Sequence, residues 1–557
     1  MSWDEAVGAI TAPGERFEIV DSEIRGVPLK VFKNTPPSLR AAFQVARTRP
    51  DDIFLVYQDE RLTFGQVMAS IDELAAGLVE NFDVKPGDRV SIAMRNYPEW
   101  IIAFAAITSV GGIAVCLNAW WTAEEMTYGL EDSGSTLLIA DAERIERAVP
   151  AMQTLGVRAI GVRLTGELRP GVTRFEDAVV SGASMPEVAI DPQDDATILY
   201  TSGTTGFPKG AVSTHDAILN SLTAFACRAT AGAMVSPPKQ AHPYPTSFIL
   251  CVPLFHVTGL VPVMLSCFIG GYKLVIMYKW DPERALQHIE EEHITTFVGV
   301  PTMSWDMLES PEFERRDTSS LLSIGGGGAP APPELINRID KGFKKGRPGM
   351  GYGMTETNAY GPQNSGDDII RKPRSAGRAV PIVEMRVADE NGREVPRGEA
   401  GEIYFKGPNL IRGYWNKPEA TAETIQGGWL RSGDIGRMDD EGFIFVEDRA
   451  KDMVIRAGEN IYCAEVEAAI YEYPDVYEAA VFGVPDERLG EELAVAIVPK
   501  PGVEFDVDGL RAHLARHIAV FKIPSIVDIK TEQLPRNASG KILKRDLRDA
   551  WVESQPG

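Results

Sequence analysis

The expected fold is α/β: a large N-terminal domain of doubly wound sheets with a β-rich subdomain (residues 1–447), and a small α+β C-terminal domain (448–557). Three observations predict it. Short β-branched runs alternate with helical patterns over most of the 557 residues. From about Pro381 the texture changes to strands joined by tight turns, and a compact unit ending in a basic segment follows the charged stretch Glu447–Lys451. Alternating strand and helix puts helices on both faces of parallel sheets. At about 150 residues per domain, this length suggests roughly three or four structural units.

The elements read in order. "RVSIAM" is a strand before the helix "YPEWIIAFAAITSVG", and "AVCLN" is a strand before the helix "TAEEMTYGLEDSG", which leads into "TLLIAD". The same rhythm returns in "FILCVPL", "KLVIM", "DPERALQHIEEEHI" and "TFVGVP". "DP" and "TAEE" are helix starts, a capping or first-turn residue followed by acids. Asn391-Gly392, within "EMRVADENGREVPRGEAGEIYFKG", is the sharpest hairpin signal. Arg228 to Thr246, "RATAGAMVSPPKQAHPYPT", is rich in Pro, Ala and Gly and is expected to be a surface loop or lid.

Composition narrows the class. Lys+Arg 56 against Asp+Glu 79 leaves a net charge of −23, which argues against a non-specific nucleic-acid or anionic-membrane binder. An anionic ligand must then be met by local donors. Five scattered cysteines without a CxxC pair suggest reduced, buried thiols rather than a disulfide framework or a zinc site. The acidic start "MSWDEAVGAI" lacks the blocks of a signal peptide, so a cytoplasmic location is expected. "IIAFAAITSVGGIAVCL" is short for a membrane span, and "SFILCVPLFHVTGLVPVMLSCFIGG" is interrupted by two prolines, a histidine and a glycine. Both are expected in the core, with no integral membrane segment.

"YTSGTTGFPKG", Tyr200 to Gly210, sets three glycines, a serine, three threonines and a lysine in eleven residues. The spacing is not that of the usual P-loop, because the lysine is followed by glycine. Glycine backbone and threonine hydroxyls can wrap a phosphate chain. A Gly/Thr-rich turn after a strand is the competing reading, and this segment alone does not choose between them.

The segment resembles the phosphate-binding signature of the adenylate-forming superfamily, which includes AMP-forming acyl-CoA synthetases and aryl-CoA ligases. Further stretches match in the family's order: "VPLFHVTG" (252–259), "GGGGAP" (325–330), "GYGMTET" (351–357), "GEIYFKGPNLIRGYWNKPEAT" (401–421), "GWLRSGDIG" (428–436), "DRAKDMVIRAGENIYCAEVE" (448–467) and "LPRNASGKILKRDLR" (534–548). The resemblance covers about residues 62–548.

That resemblance implies an ATP-dependent ligase that makes an acyl-AMP and then transfers the acyl group to CoA, with Mg²⁺ as cofactor. Two anions must be brought together, so positioning and charge neutralisation dominate the chemistry. It also implies that Thr201, Ser202, Gly203, Thr204, Thr205 and Gly206 hold the β/γ-phosphates, with Lys209 nearby. Glu356 would bind the metal and Thr355 the α-phosphate. Gly328, Ala329 and Pro330, with Gly351 and Tyr352, would frame the adenine. Asp434 would hold the ribose and Arg449 support it. Lys451 would be the hinge of a mobile C-terminal domain, whose Lys541 reaches the α-phosphate in one orientation only. Ala457 and Gly458 would line the pantetheine tunnel, and His256 would gate the carboxylate.

The acyl pocket is expected from His256, Val257, Gly259, Val300, Pro301, Met303, Gly325 to Gly328, Met350 and Gly351, with no charge awaiting the tail. Related acetyl-CoA synthetases carry tryptophan where this chain has Gly353, so an open pocket and a medium-chain, long-chain or bulky acid follow from the resemblance. Ile455, where plant-type aryl ligases carry lysine, lowers the aryl reading. The partners expected are the acid, ATP and CoA, with a possible homodimer. The alternatives are an acyl-AMP ligase loading a carrier protein, a luciferase-like oxygenase and a non-catalytic nucleotide-binding scaffold. Against the carrier reading, no carrier domain follows Arg548; against the scaffold, Glu356, Asp434, Arg449 and Lys541 are all present.

Overall fold

The computed structural model describes residues 1–201, 208–236, 242–329, 331–456, 459–486, 488–538 and 540–554. Two eight-stranded sheets dominate it. In the first, Asp195–Thr201, Ile113–Cys116, Arg89–Ala93, Leu137–Asp141, Arg158–Val162 and Val172–Arg174 run parallel, in that spatial order. Lys209–Thr214 and then Gly413–Tyr414 extend one edge antiparallel. In the second, Arg347–Gly351, Ser323–Gly326, Thr296–Gly299, Ser247–Leu250, Lys273–Ile276 and Ile53–Tyr57 are parallel. Antiparallel strands Gln363–Ser365 and Glu60–Thr63 close its two edges. Non-consecutive neighbours require helical crossovers, as expected for doubly wound sheets.

Helix starts follow local chemistry. Thr122 caps Ala123–Ser133 reciprocally with Glu125, and Asp281 caps Pro282–Glu291. Both suspect apolar stretches lie in the core. The first is the helix Pro98–Ser109, buried on every side, running into the strand Ile113–Cys116. The second is the strand Ser247–Leu250 and, after a loop, a wide π-helical turn, Gly259–Leu265.

One helix, His215–Val235, is long and apolar enough to cross a membrane, and half of its most apolar stretch is buried in the protein. Two of its buried polar residues are matched internally: the Phe32 N–H donates to Asn220 Oδ1 at 3.3 Å, and Ser221 Oγ donates to the Asn358 carbonyl at 2.7 Å. It is built as a core helix. It also corrects the expected loop: Arg228 to Val235 is helical. Alanines at 229, 231 and 233 favour helix. Arg228 is anchored too, its Nη1 donating to the Arg378 carbonyl at 3.2 Å and its guanidinium lying 4.6 Å from the Trp3 ring. Residues 237–241 of that segment lie outside the described ones.

An antiparallel five-stranded sheet follows, built from Glu384–Ala388, Gly401–Lys406, Trp429–Met438, Ile425–Gln426 and Ile444–Arg449. The Asn391-Gly392 turn forms, with Gly392 at φ 74° and Asp389 Oδ1 accepting from the N–H groups of Asn391 and Arg393. The last sheet centres on the long hairpin Val476–Asp486 with Gly490–Pro499, beside which Ile526–Ile529 runs parallel. Side chains alternate along that hairpin. Val481, Leu493 and Val495 pack toward the helices Cys463–Tyr471 and Val507–His517, while Ala480, Phe482 and Ala494 pack with Leu547 of the helix Lys544–Ser554.

Three contacts seat this last unit on the rest. The Tyr477 hydroxyl donates to Asp306 Oδ1 at 3.0 Å, while Trp280 Nε1 donates to the other Asp306 oxygen at 2.8 Å. Trp305 and Tyr471 stack with ring centroids 6.4 Å apart. At Gly540 a Cβ would stand 2.9 Å from Val300 Cγ2, and φ is 85°. Only glycine allows that approach in that conformation.

Candidate active site

These layers enclose a cleft of about 1700 Å³. Thr201, Lys209, His256, Thr355, Glu356, Asp434, Arg449, Lys451 and Lys541 all line it. They come from both large sheets, the β-rich sheet and the C-terminal unit, which are far apart in sequence.

At one end, the first sheet pairs Thr201 with Lys209 across an antiparallel register. Ser202, Gly203, Thr204, Thr205 and Gly206, between the two in sequence, lie outside the described residues. Lys209 Nζ sits 5.2 Å from the centre of the Tyr414 ring, and the Tyr414 hydroxyl donates to Glu356 Oε1 at 2.7 Å. Lysine, tyrosine and carboxylate therefore adjoin. Burial pushes the Glu356 carboxyl above its usual range, against the pull of the Tyr414 hydrogen bond. Tyr414 drew no notice in the sequence. Its signal was the strand Gly413–Tyr414, which pairs with Ala211–Val212 just beyond Lys209.

Glu356 sits in a 3₁₀ turn, Thr355–Thr357, followed by Asn358 and Ala359 at φ 49° and 65°. Left-handed backbone at two successive non-glycine residues stores strain that surrounding structure must impose. Asn409 imposes it. Its Nδ2 donates to the carbonyls of Thr357 at 2.8 Å and Tyr360 at 3.1 Å, while Asn358 Nδ2 donates back to the Asn409 carbonyl at 2.9 Å. The Ile411 N–H also bonds the Glu356 carbonyl at 3.0 Å. Asn409 is fully buried.

Asp434 stands opposite Arg449 in the register of the β-rich sheet. Arg449 Nε lies 3.5 Å from Asp434 Oδ1, and the Tyr352 hydroxyl donates to Oδ2 at 2.6 Å. Burial still pushes this carboxyl up, with Arg449, Tyr352 and Lys541 opposing it. The Tyr352 ring packs at 5.5 Å against Phe405, so Tyr352 supports Asp434 directly. Lys541 hangs from a tight loop. Its N–H donates to Asn537 Oδ1 at 2.9 Å, and Arg536 ties the loop down by donating to the Gly540 carbonyl and to Glu478. Burial, then the Arg449 charge, holds the Lys541 ammonium down to about 8. The same two causes lower Lys451. Three cations thus share one end of the cleft, an arrangement that a polyanion would relieve.

His256 lines the same cleft. Its Nδ1 accepts the Thr258 N–H at 3.3 Å, and burial lowers its pKa to about 4. The imidazole is neutral near pH 7 and carries its proton on Nε2. Val257, Gly325 to Gly328, Met350 and Gly351 line the cleft as expected. Gly328 is at φ 75°, Ala329 follows it half-buried, and Pro330 lies outside the described residues.

Four expected wall residues belong elsewhere. Val300 and Met303 are core residues, Pro301 starts the helix Pro301–Glu309, and the space beside Gly259 is filled by the Pro253 carbonyl, 2.3 Å from where a Cβ would be. The wall comes instead from the helix His215–Val235, through Leu219, Leu222, Thr223, Ala226 and Gly232, and from Phe248 and Tyr272. That wall is apolar, but Arg228 also borders the cleft. Gly353 borders it as well, yet a Cβ there would point into the Ala359 backbone at 2.4 Å. In this backbone a side chain at 353 does not project into open space. Ala457 and Gly458 lie outside the described residues.

Comparison with known proteins agrees with this geometry. The family model described as AMP-binding enzyme matches residues 42–415, and the AMP-binding enzyme C-terminal domain matches 465–541. A feruloyl-CoA synthase of an Amycolatopsis species is 36% identical over 506 residues, covering 90% of this chain and 96% of that protein. The long-chain-fatty-acid–CoA ligase FadD13 of Mycobacterium tuberculosis is 34% identical over 508 residues, covering 89% and 95%. Among solved structures, o-succinylbenzoate CoA synthetase from Bacillus subtilis, in complex with its acyl-adenylate intermediate, superposes with a TM-score of 0.77 at 30% identity, covering 94% of this chain and 99% of that one. The chain belongs to the AMP-binding enzyme family, among its acyl-CoA ligases. Its substrates are ATP, CoA and a small-molecule acid.

Proposed function

We propose that this ligase activates a carboxylic acid with an extended or bulky apolar tail. The observation that carries the reading is the single cleft joining the cationic end at Arg449, Lys451 and Lys541 to an apolar wall on the helix His215–Val235. Its relatives act on acids of that kind by name: feruloyl, long-chain fatty and methyl-dioxo-octahydroindenyl-propanoyl.

The residues divide the work by chemistry. Lys541 and Arg449 neutralise charge as the acid's carboxylate meets the α-phosphorus, where preorganised cations act without reorganising. Thr355 and Thr201 supply hydroxyl donors to the phosphates, together with the glycine-rich segment and Lys209. Asp434, steadied by Tyr352, accepts from the ribose hydroxyls. His256 offers its Nε2–H to the carboxylate. A buried carboxylate with one oxygen free of the Tyr414 bond suits a hard divalent cation, so Glu356 fits Mg²⁺. Bound there, Mg²⁺ supplies positive charge to the polyphosphate. Residues 1–447 and 448–557 are two units hinged at Lys451, and withdrawal of Lys541 opens the site to the CoA thiol past Ala457 and Gly458. Five buried, unpaired cysteines suit a reducing, cytoplasmic setting.

Pyrophosphate release over a panel of acids, from acetate to palmitate with aryl and polycyclic propanoates, with and without CoA, tests this. Release confined to the longer or bulkier acids, with CoA consumed, is expected. Maximal release with acetate would overturn the substrate class.

A further inference from the structure

Two of the chain's seven histidines, His513 and His517, stand one helical turn apart on Val507–His517. Glu472, which ends the neighbouring helix Cys463–Tyr471, faces them. One potential ligand atom from each of the three lies within 4.8 Å of the others. None of the three lines the ATP cleft.

We propose that Glu472, His513 and His517 form a second metal site, for a divalent transition cation of the Zn²⁺ type. Histidines at i and i+4 project from one face of a helix, the spacing by which helices present paired imidazoles to zinc. The ring of His513 is already oriented. Its Nε2 is 3.1 Å from the Ala469 carbonyl, and a carbonyl only accepts, so Nε2 carries the proton and Nδ1 offers its lone pair. Metal-bound histidines are typically held by such a bond from the other ring nitrogen. His517 presents Nδ1 to Glu472 Oε2 at 3.4 Å, and the two imidazole rings lie 4.3 Å apart. Small rotamer changes bring three such atoms within the roughly 2.0–2.2 Å reach of zinc.

The donor set selects the ion. Two imidazoles and one carboxylate suit Zn²⁺, Co²⁺, Ni²⁺ or Cu²⁺, whereas Mg²⁺ takes oxygen ligands. This site therefore differs in chemistry from the Glu356 site. Three protein ligands leave a fourth position to water. A bound ion would clamp the helices Cys463–Tyr471 and Val507–His517 together, stiffening the unit that carries Lys541.

The test uses the full chain without a polyhistidine tag. Co²⁺ is titrated and its visible d–d absorption recorded, Zn²⁺ is used to displace it, and thermal stability is followed with Zn²⁺ alone. Expected are one equivalent bound, displacement by Zn²⁺, and a melting temperature that rises with Zn²⁺ concentration. His517→Gln and Glu472→Gln should each weaken binding about tenfold or more, with the metal-free melting temperature unchanged. His513→Ala serves as a third variant, removing the imidazole that the Ala469 carbonyl orients. Absence of a Co²⁺ spectrum, or equal affinity in all three variants, would overturn the site.

Discussion

Lys541 makes the most quantitative prediction. In this arrangement its ammonium is held down to about 8, against an ordinary value of 10.5. At 1.36 kcal/mol per unit, burying the charged lysine, with Arg449 beside it, costs on the order of 3 kcal/mol. The group is a base with a lowered pKa, so the sign is fixed. The penalty is complete below about 8, and it disappears as pH rises to the ordinary lysine value. An α-phosphate beside the ammonium reverses the balance and holds the proton on. The value of kcat/KM for ATP reports the free enzyme, while kcat reports the loaded one. In pyrophosphate release, kcat/KM for ATP should therefore fall above pH about 8, and the corresponding limb in kcat should lie at distinctly higher pH.

Lys541→Arg keeps its charge at every accessible pH, so its kcat/KM profile should lose the alkaline limb. Lys541→Ala should lose about 10²–10³ in adenylate formation and leave thioester formation from supplied acyl-AMP within a few-fold. A limb near 8 that survives in Lys541→Arg, or equal loss of both half-reactions in Lys541→Ala, would refute this account of the lysine.

Other outcomes follow from neighbouring contacts. Tyr477→Phe removes the hydrogen bond to Asp306 that helps seat the C-terminal unit. Adenylate formation should slow about tenfold, from roughly 1.4 kcal/mol, while thioester formation from acyl-AMP is unchanged; single-turnover assays of each step check the split. Asn409→Ala leaves the carbonyls of Thr357 and Tyr360 without their donor. A loss of about 2–3 kcal/mol in urea unfolding is expected, with a rise in the Mg²⁺ concentration needed for activity. Gly232 lies on the cleft wall with nothing within 4 Å of its Cβ direction. Gly232→Phe should exclude the longest acids in the panel while short acids keep their rates, and helix stability should not fall.

The fold was legible because its signals are local. Strand and helix alternate with different periods, and "TAEE" and "DP" carry their own caps. The helix His215–Val235 was half-missed for the same reason. Its second half reads as Ala, Gly and Met beside prolines, and only its packing on Trp3 and Arg378 explains why the helix persists to Val235. The expected acyl wall erred similarly. Proximity to a matched segment put Val300 and Met303 on the surface of the cleft, but the face that each residue presents is set by helix phase and by what packs behind it.

The site divides along one line. Groups whose chemistry is spoken by type, such as Glu356, Asp434, Arg449 and Lys541, stand in glycine-rich or charged segments and were legible as candidates; all four line the cleft. Residues that position them were not, because Asn409 and Tyr414 look like ordinary strand and loop residues until the chain folds back. Their importance is nevertheless forced by the strain that they hold. Two left-handed residues after Glu356 cost of order 1–3 kcal/mol each. A lone carboxylate on such a turn would relax away from the cleft, so Glu356 requires its asparagine hub to stay there. The same reasoning applies to Lys541. Gly540 at positive φ and the Arg536 anchor place the ammonium in the cleft only while Val300 is within reach, and any movement of the C-terminal unit away from Val300 therefore withdraws the charge.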